Sequence, residues 1–176
     1  MFGLFRKKKP RFPVVDRIWI SQDARERAMV KMILEDPSVI FIHWFDESYD
    51  RSLHALGQSA SDHIYMLRDA WHHRGAGKKL IFFEHYPLRE KEQQAFDKMH
   101  LQKAEVWSAL DEPLLLKFGG ARLVDMMQKM GMKEDEAIEH ALISRSITKA
   151  QDKITKQVTF DRHAGSMASW FEQNLV

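Results

Sequence analysis

Residues 39–45 read VIFIHWF, a nearly continuous β-branched and aromatic run. A strand with one face in water would alternate apolar and polar residues, so a run of this kind predicts a strand covered on both faces, central in its sheet. The surrounding segments agree. Strands are expected at 17–21 (RIWIS), 64–67, 80–86 and 104–110, and helices at 22–35, 46–57, 88–99 and 111–118. Ser21 is placed to cap the first helix, Gly57 to end the second, and Pro87 to introduce the third. Strands alternating with helices imply βαβ units and a mostly parallel sheet. The stretch RGAGKK, from Arg74 to Lys79, reads as a turn ahead of the strand at 80–86.

Beyond residue 117 the pattern becomes helical. Leu123, Met126, Met127 and Met130 recur at helical spacing, and Gly131 follows as the residue best able to take a left-handed stop conformation. After a polar turn at 133–136, Ile143, Ile147, Ala150, Ile154 and Val158 form one apolar stripe on a longer helix. The last residues, 161–176, are expected to turn around Gly165 and pack a terminal helix back through Trp170 and Phe171. The organisation expected is a basic tail (1–13), an α/β domain (14–119) and a helical carboxyl-terminal segment (120–176).

The segment 117–151 reads KFGGARLVDMMQKMGMKEDEAIEHALISRSITKAQ. Its wording is similar to the SecA family, the motor ATPases of bacterial protein export, where such a run closes the second motor domain and opens a long scaffold helix. The match rests on Gly120, Arg122, Met126, Met127, Gly131, Met132, Glu136, Ala137, Ile138, Glu139, His140, Ala150 and Gln151, with weaker likeness in 106–118 and 80–94. The resemblance implies a RecA-like, Rossmann-like sheet flanked by helices, with a helical extension. In the family the P-loop belongs to the first motor domain, and the second supplies arginines from Gly/Arg-rich segments. Here 95–103 reads AFDKMHLQK, without glycine or arginine, and no GxxxxGK[ST] occurs; Glu84 and Arg89 do match in place. A motor-like frame without hydrolytic residues is expected, and no cofactor.

The chain has 176 residues and no cysteine, which excludes structural disulfides and thiolate metal sites and suits a reducing, cytoplasmic setting. A net charge of +2 gives no general drive toward nucleic acid. In the tail, Phe2, Leu4 and Phe5 precede the basic residues 6–9, the reverse of a signal peptide. That pattern suits a weak contact with an anionic membrane, at the inner-membrane periphery, since each nearby Lys or Arg contributes ~1 kcal/mol.

Candidate chemistry lies at the carboxyl edge of the sheet, where open α/β folds bind ligands. Asp46, Glu84, His85 and Arg89 are the expected ligand-binding set, and His43 and Glu47 would stand nearby. Their spacing carries no metal signature, and no serine sits in a GxSxG turn. On the long helix, Arg145, Lys149, Lys153 and Lys156 form a basic face, expected to meet a protein partner or a second copy. The reading is a non-catalytic, SecA-related binding or regulatory module serving protein export. The alternative is a nucleotide-binding or phosphoester-acting enzyme working at the sheet edge.

Overall fold

The computed structural model describes residues 12–57, 62–73, 77–129 and 131–175. The expected tail up to Arg11, part of the RGAGKK turn (74–76) and Met130 lie outside the described residues. Five strands form one all-parallel sheet in the order β1-β5-β4-β2-β3. They are β1 (Val14–Trp19), β2 (Val39–His43), β3 (Ile64–Met66), β4 (Lys79–Phe82) and β5 (Ala104–Ala109). The helices are α1 (Gln22–Glu35), α2 (Asp46–Leu56), α3 (Arg89–Lys98), α4 (Pro113–Lys117), α5 (Gly120–Lys129), α6 (Ala141–Thr155) and α7 (Met167–Asn174). This is the α/β class expected.

All five residues of β2 are buried, and the strand lies between β4 and β3. Val39 and Phe41 face one cluster, with Met29 and Ile33 of α1, Ile81 and Trp107. Ile40 and Ile42 face the other, with Phe96 of α3, Phe82 and Val106. Both faces are covered, which is why the run needs no polar alternation. Ser21 caps α1 by accepting from the Ala24 N–H at 3.2 Å. Gly57 follows α2 with φ +69°, a conformation that favours glycine.

Three boundaries differ from the sequence reading by about three residues or more. β1 begins at Val14, three residues early, pairing in register with β5 from Ala104. β4 stops at Phe82, although the apolar run continues. Past Phe83, whose N–H still reaches the Ile42 carbonyl at 2.9 Å, the chain leaves the sheet to bring Glu84 and His85 to internal partners. Residues 136–140, which the resemblance places at the opening of a long helix, are not helical. Ile138 instead exchanges backbone hydrogen bonds with Ile18 at 3.0 and 2.9 Å, covering the otherwise open edge of β1. α6 therefore starts at Ala141 and spans 15 residues.

A third apolar cluster joins the carboxyl-terminal helices to the sheet. Ile143, Ile147 and Ile154 of α6, with Trp170 of α7, pack with Ile18, Phe45, Leu88 and Leu114. The α6 stripe is thus covered by the chain's own core. α7 packs back through Trp170 and Phe171, as the sequence predicts.

Candidate functional site at the carboxyl edge of the sheet

From β2 the chain passes outward to β3, whereas from β4 it passes inward to β5. The carboxyl ends of β2 and β4 therefore diverge to opposite faces and form the topological switch point, the usual ligand crevice of an open α/β sheet. Three groups of polar side chains gather at this end of the sheet.

The first centres on Arg25. It lies on the inward side of α1 with Met29 and Ile33, one and two turns on, and is 1% exposed. Its Nη1 donates to the Phe83 carbonyl at 2.6 Å and to Glu112, itself 2% exposed, and its guanidinium stacks 4.0 Å above the Phe83 ring. Burial pushes Arg25 down to about 10, so it remains charged at neutral pH.

The second joins Glu84, Ser48 and His43. One oxygen of Glu84 accepts from the Trp44 and Phe45 N–H groups at 3.3 and 3.4 Å and from the Ser48 hydroxyl, at the entrance to α2. Burial raises the Glu84 pKa, with Arg25 and Ser48 opposing. His43 Nδ1 lies 3.2 Å from Ser48 Oγ, and its Nε2 has no partner among the described residues. Burial, then Arg25, hold His43 well below its ordinary pKa, so the ring is neutral. The hydroxyl stands between ring and carboxylate. The carboxylate therefore orients the serine and not the imidazole, unlike the arrangement that activates a serine nucleophile.

The third lies on the opposite face. His85 Nδ1 is 2.8 Å from Glu92 of α3, and Nε2 is 3.0 Å from Asp16 of β1. Glu92 also accepts from the Tyr86 N–H and from Gln151 of α6, each at 2.8 Å. Burial would lower the His85 pKa, but Glu92 and Asp16 override it and raise it to about 10. Asp16 is held below its ordinary value by His85, against the opposing effect of burial. A small cavity of about 150 Å³ adjoins this group, bordered by Arg89, Ser144 and Thr148.

Each member of the expected ligand set has a partner of its own within the chain. Glu84 and His85 are consecutive, but Glu84 turns to the entrance of α2 and His85 to Glu92 of α3 and Asp16 of β1. Asp46, at the start of α2, is half-exposed and held by Arg68 at 3.0 Å. Arg89, the first residue of α3, pairs with Asp152 of α6 at 3.0 Å. Arg145, Lys149, Lys153 and Lys156 are all exposed along α6. Among the described residues, no group of three or more His, Asp or Glu side chains is arranged to hold a metal, and no helix is long and apolar enough to cross a membrane.

The sequence reading gives Arg25, Asp16 and Glu92 no site role, and Gln151 enters it only as a residue of the SecA resemblance. Each is nonetheless a polar residue at an apolar position: Arg25 ahead of Met29 and Ile33, Asp16 two before Ile18, Glu92 between Leu88 and Phe96, and Gln151 between Ile147 and Ile154. That is the signature of a satisfied internal polar group.

The carboxyl-terminal segment lies over this end of the sheet. The Glu47 N–H donates to the Gly165 carbonyl at 2.9 Å, and Asp161 accepts from the Tyr86 hydroxyl at 2.6 Å and the Trp170 indole at 2.8 Å. A cleft of about 300 Å³ remains beside it, lined by Trp44, Trp71, Tyr86, Arg68, Lys91 and Asp161. A larger cleft, about 770 Å³, lies along β1, β5 and β4, where Arg17 and Lys79 flank Glu105 at 3.2 Å each.

Comparison with known proteins gives partial likeness. The chain is 33% identical to the protein translocase subunit SecA of Psychrobacter sp. (strain PRwf-1) over 103 residues, covering 53% of this chain and 11% of that protein. Over 46 residues it is 54% identical to SecA of Acinetobacter baylyi and 52% identical to SecA of Psychrobacter cryohalolentis, covering 26% of this chain and 5% of each relative. Part of the chain is thus homologous to SecA, and the chain spans about a tenth or less of the length of these relatives. No protein-family profile matches it.

Proposed function

We propose that this chain is a SecA-related binding module that does not hydrolyse nucleotide and serves protein export as an accessory or regulator. One observation carries the non-catalytic half of the reading. The charged groups at the sheet's carboxyl edge are neutralised by the chain itself. Arg25, the buried cation best placed to meet a phosphate there, is bound to Glu112 and to the Phe83 carbonyl. Glu84 is turned onto the backbone at the start of α2. Stabilising a transferring phosphoryl group needs cations free to follow its developing charge.

The export half rests on the likeness to SecA. The module works in the cytoplasm, and its tail, apolar and then basic in sequence, holds it weakly against anionic lipid.

Calorimetric titration with ATP and ADP, with and without magnesium, paired with a phosphate-release assay, tests the first half. Magnesium-dependent turnover would overturn it in favour of a sheet-edge enzyme. Adding the chain to purified SecA during preprotein translocation tests the second half, and an unchanged rate at saturating chain counts against it.

A further inference from the structure

Helix α6 turns its two sides to different surroundings. Ile143, Ile147, Ala150 and Ile154 are buried, and Gln151 is fixed to the Tyr86 carbonyl and Glu92 at 2.8 Å each. The helix is therefore held firmly in one orientation. Leu142, Arg145, Lys149, Lys153 and Lys156 are exposed. At 3.6 residues per turn these five lie within a strip roughly 80° wide on the outward side, and the four cations extend over ~16 Å.

The strip is a pre-arranged row of positive charge with little internal compensation. Asp152, the acid on the same helix, pairs with Arg89 at 3.0 Å. Among the described residues no carboxylate pairs with Arg145, Lys149 or Lys156, and the Lys153 ammonium rests 5.7 Å above the Phe118 ring. Several cations elsewhere among the described residues do have carboxylate partners, as Arg27 with Glu134, Arg51 with Glu26, and Arg68 with Asp46. Leu142, 61% exposed, adds an apolar side chain to the amino end of the strip.

We propose that this strip docks an acidic segment of another protein, with carboxylates spaced along the row of cations and an apolar side chain meeting Leu142. Charge complementarity selects the partner chemistry. A second copy laying the same strip against this one would oppose like charges. A lipid surface takes up a helix through its apolar face, and that face of α6 is buried in the chain's core. The proposal goes beyond the non-hydrolysing reading and stands without it.

The test is fluorescence anisotropy of the full chain with a labelled synthetic helical peptide carrying Glu at i, i+4 spacing and one Leu on the same side. Controls are the same peptide with Gln for Glu, and phosphatidylglycerol vesicles. The Glu peptide is expected to bind, to weaken as salt is raised, and to weaken at least about tenfold with the K149E/K153E variant. A Lys peptide is expected to regain binding to that variant, which separates lost charge from lost fold. No binding of the Glu peptide, equal binding of the Gln peptide, or an unaffected variant overturns the proposal. So does vesicle binding through Lys149 and Lys153 without peptide binding.

Discussion

Arg25 and Glu112, 87 residues apart in sequence, form an ion pair whose side chains are 1% and 2% exposed. The pair ties α1 to the loop before α4 beneath the carboxyl edge of the sheet. Its hydrogen bonding is incomplete, since Arg25 Nε and Glu112 Oε2 lack partners among the described residues. Removing one member leaves the other charged and buried, so Glu112→Ala is expected to cost about 3–5 kcal/mol in urea unfolding. Replacing both, as R25M/E112L, is expected to recover most of that loss. A loss below about 1 kcal/mol for E112A would show that the pair does not hold α1 in place.

Trp170 is the anchor of α7. It is fully buried, its indole donates to Asp161, and its ring meets Tyr86 edge-on at 5.9 Å. Trp170→Ala removes one of the largest buried side chains and is expected to cost about 3–5 kcal/mol. If denaturant unfolding shifts by less than about 1 kcal/mol, the carboxyl-terminal segment is not part of the cooperative core.

Local signals accounted for much of the fold. The unbroken apolar run made β2 legible, and Ser21 and Gly57 marked helix ends by their own chemistry. Boundaries set by distant contacts were not legible. β4 ends at Phe82 because Glu84 and His85 find partners on α2, α3 and β1, while the sequence there still reads as aromatic strand. Residues 136–140 resemble a helix opening, but Ile138 meets a strand edge 120 positions away. The candidate site was half legible for the same reason. His85 and Glu84 were visible as polar residues closing an apolar run. Glu92 stands only seven residues beyond His85 but on the next helix, and Asp16 and Gln151, which complete the group, stand far off in sequence; all three read there as polar residues at apolar positions.

His140 caps α6 through its ring. Nδ1 accepts from the Leu142 N–H at 3.2 Å, on the exposed side of the chain. Aspartate is a better cap, and its charge suits a helix amino terminus, so His140→Asp is expected to stabilise by roughly 0.5–1 kcal/mol in thermal unfolding. A loss of stability would mean that the ring serves another purpose there.

His85 links β1, α3 and, through Glu92 and Gln151, α6, and this makes stability depend on pH in one direction. Its ordinary pKa is 6.5; in the fold, burial opposes the charge but Glu92 and Asp16 raise the value to about 10. Between those values the folded chain holds a proton that the unfolded chain releases. The contribution is therefore fully present below about 6.5 and is lost as pH rises toward 10. Asp16 acts at the other end: with its pKa held below 3.8, its contribution is present above that value and falls away in stronger acid. Urea unfolding at about pH 7 and about pH 9.5 is expected to show a loss of a few kcal/mol for the wild type and a much smaller one for His85→Gln. The variant should be less stable at the lower pH and converge on the wild type at the higher. Parallel profiles would mean that His85 is neutral in the fold, and the clamp between Asp16 and Glu92 would then be held by hydrogen bonds alone.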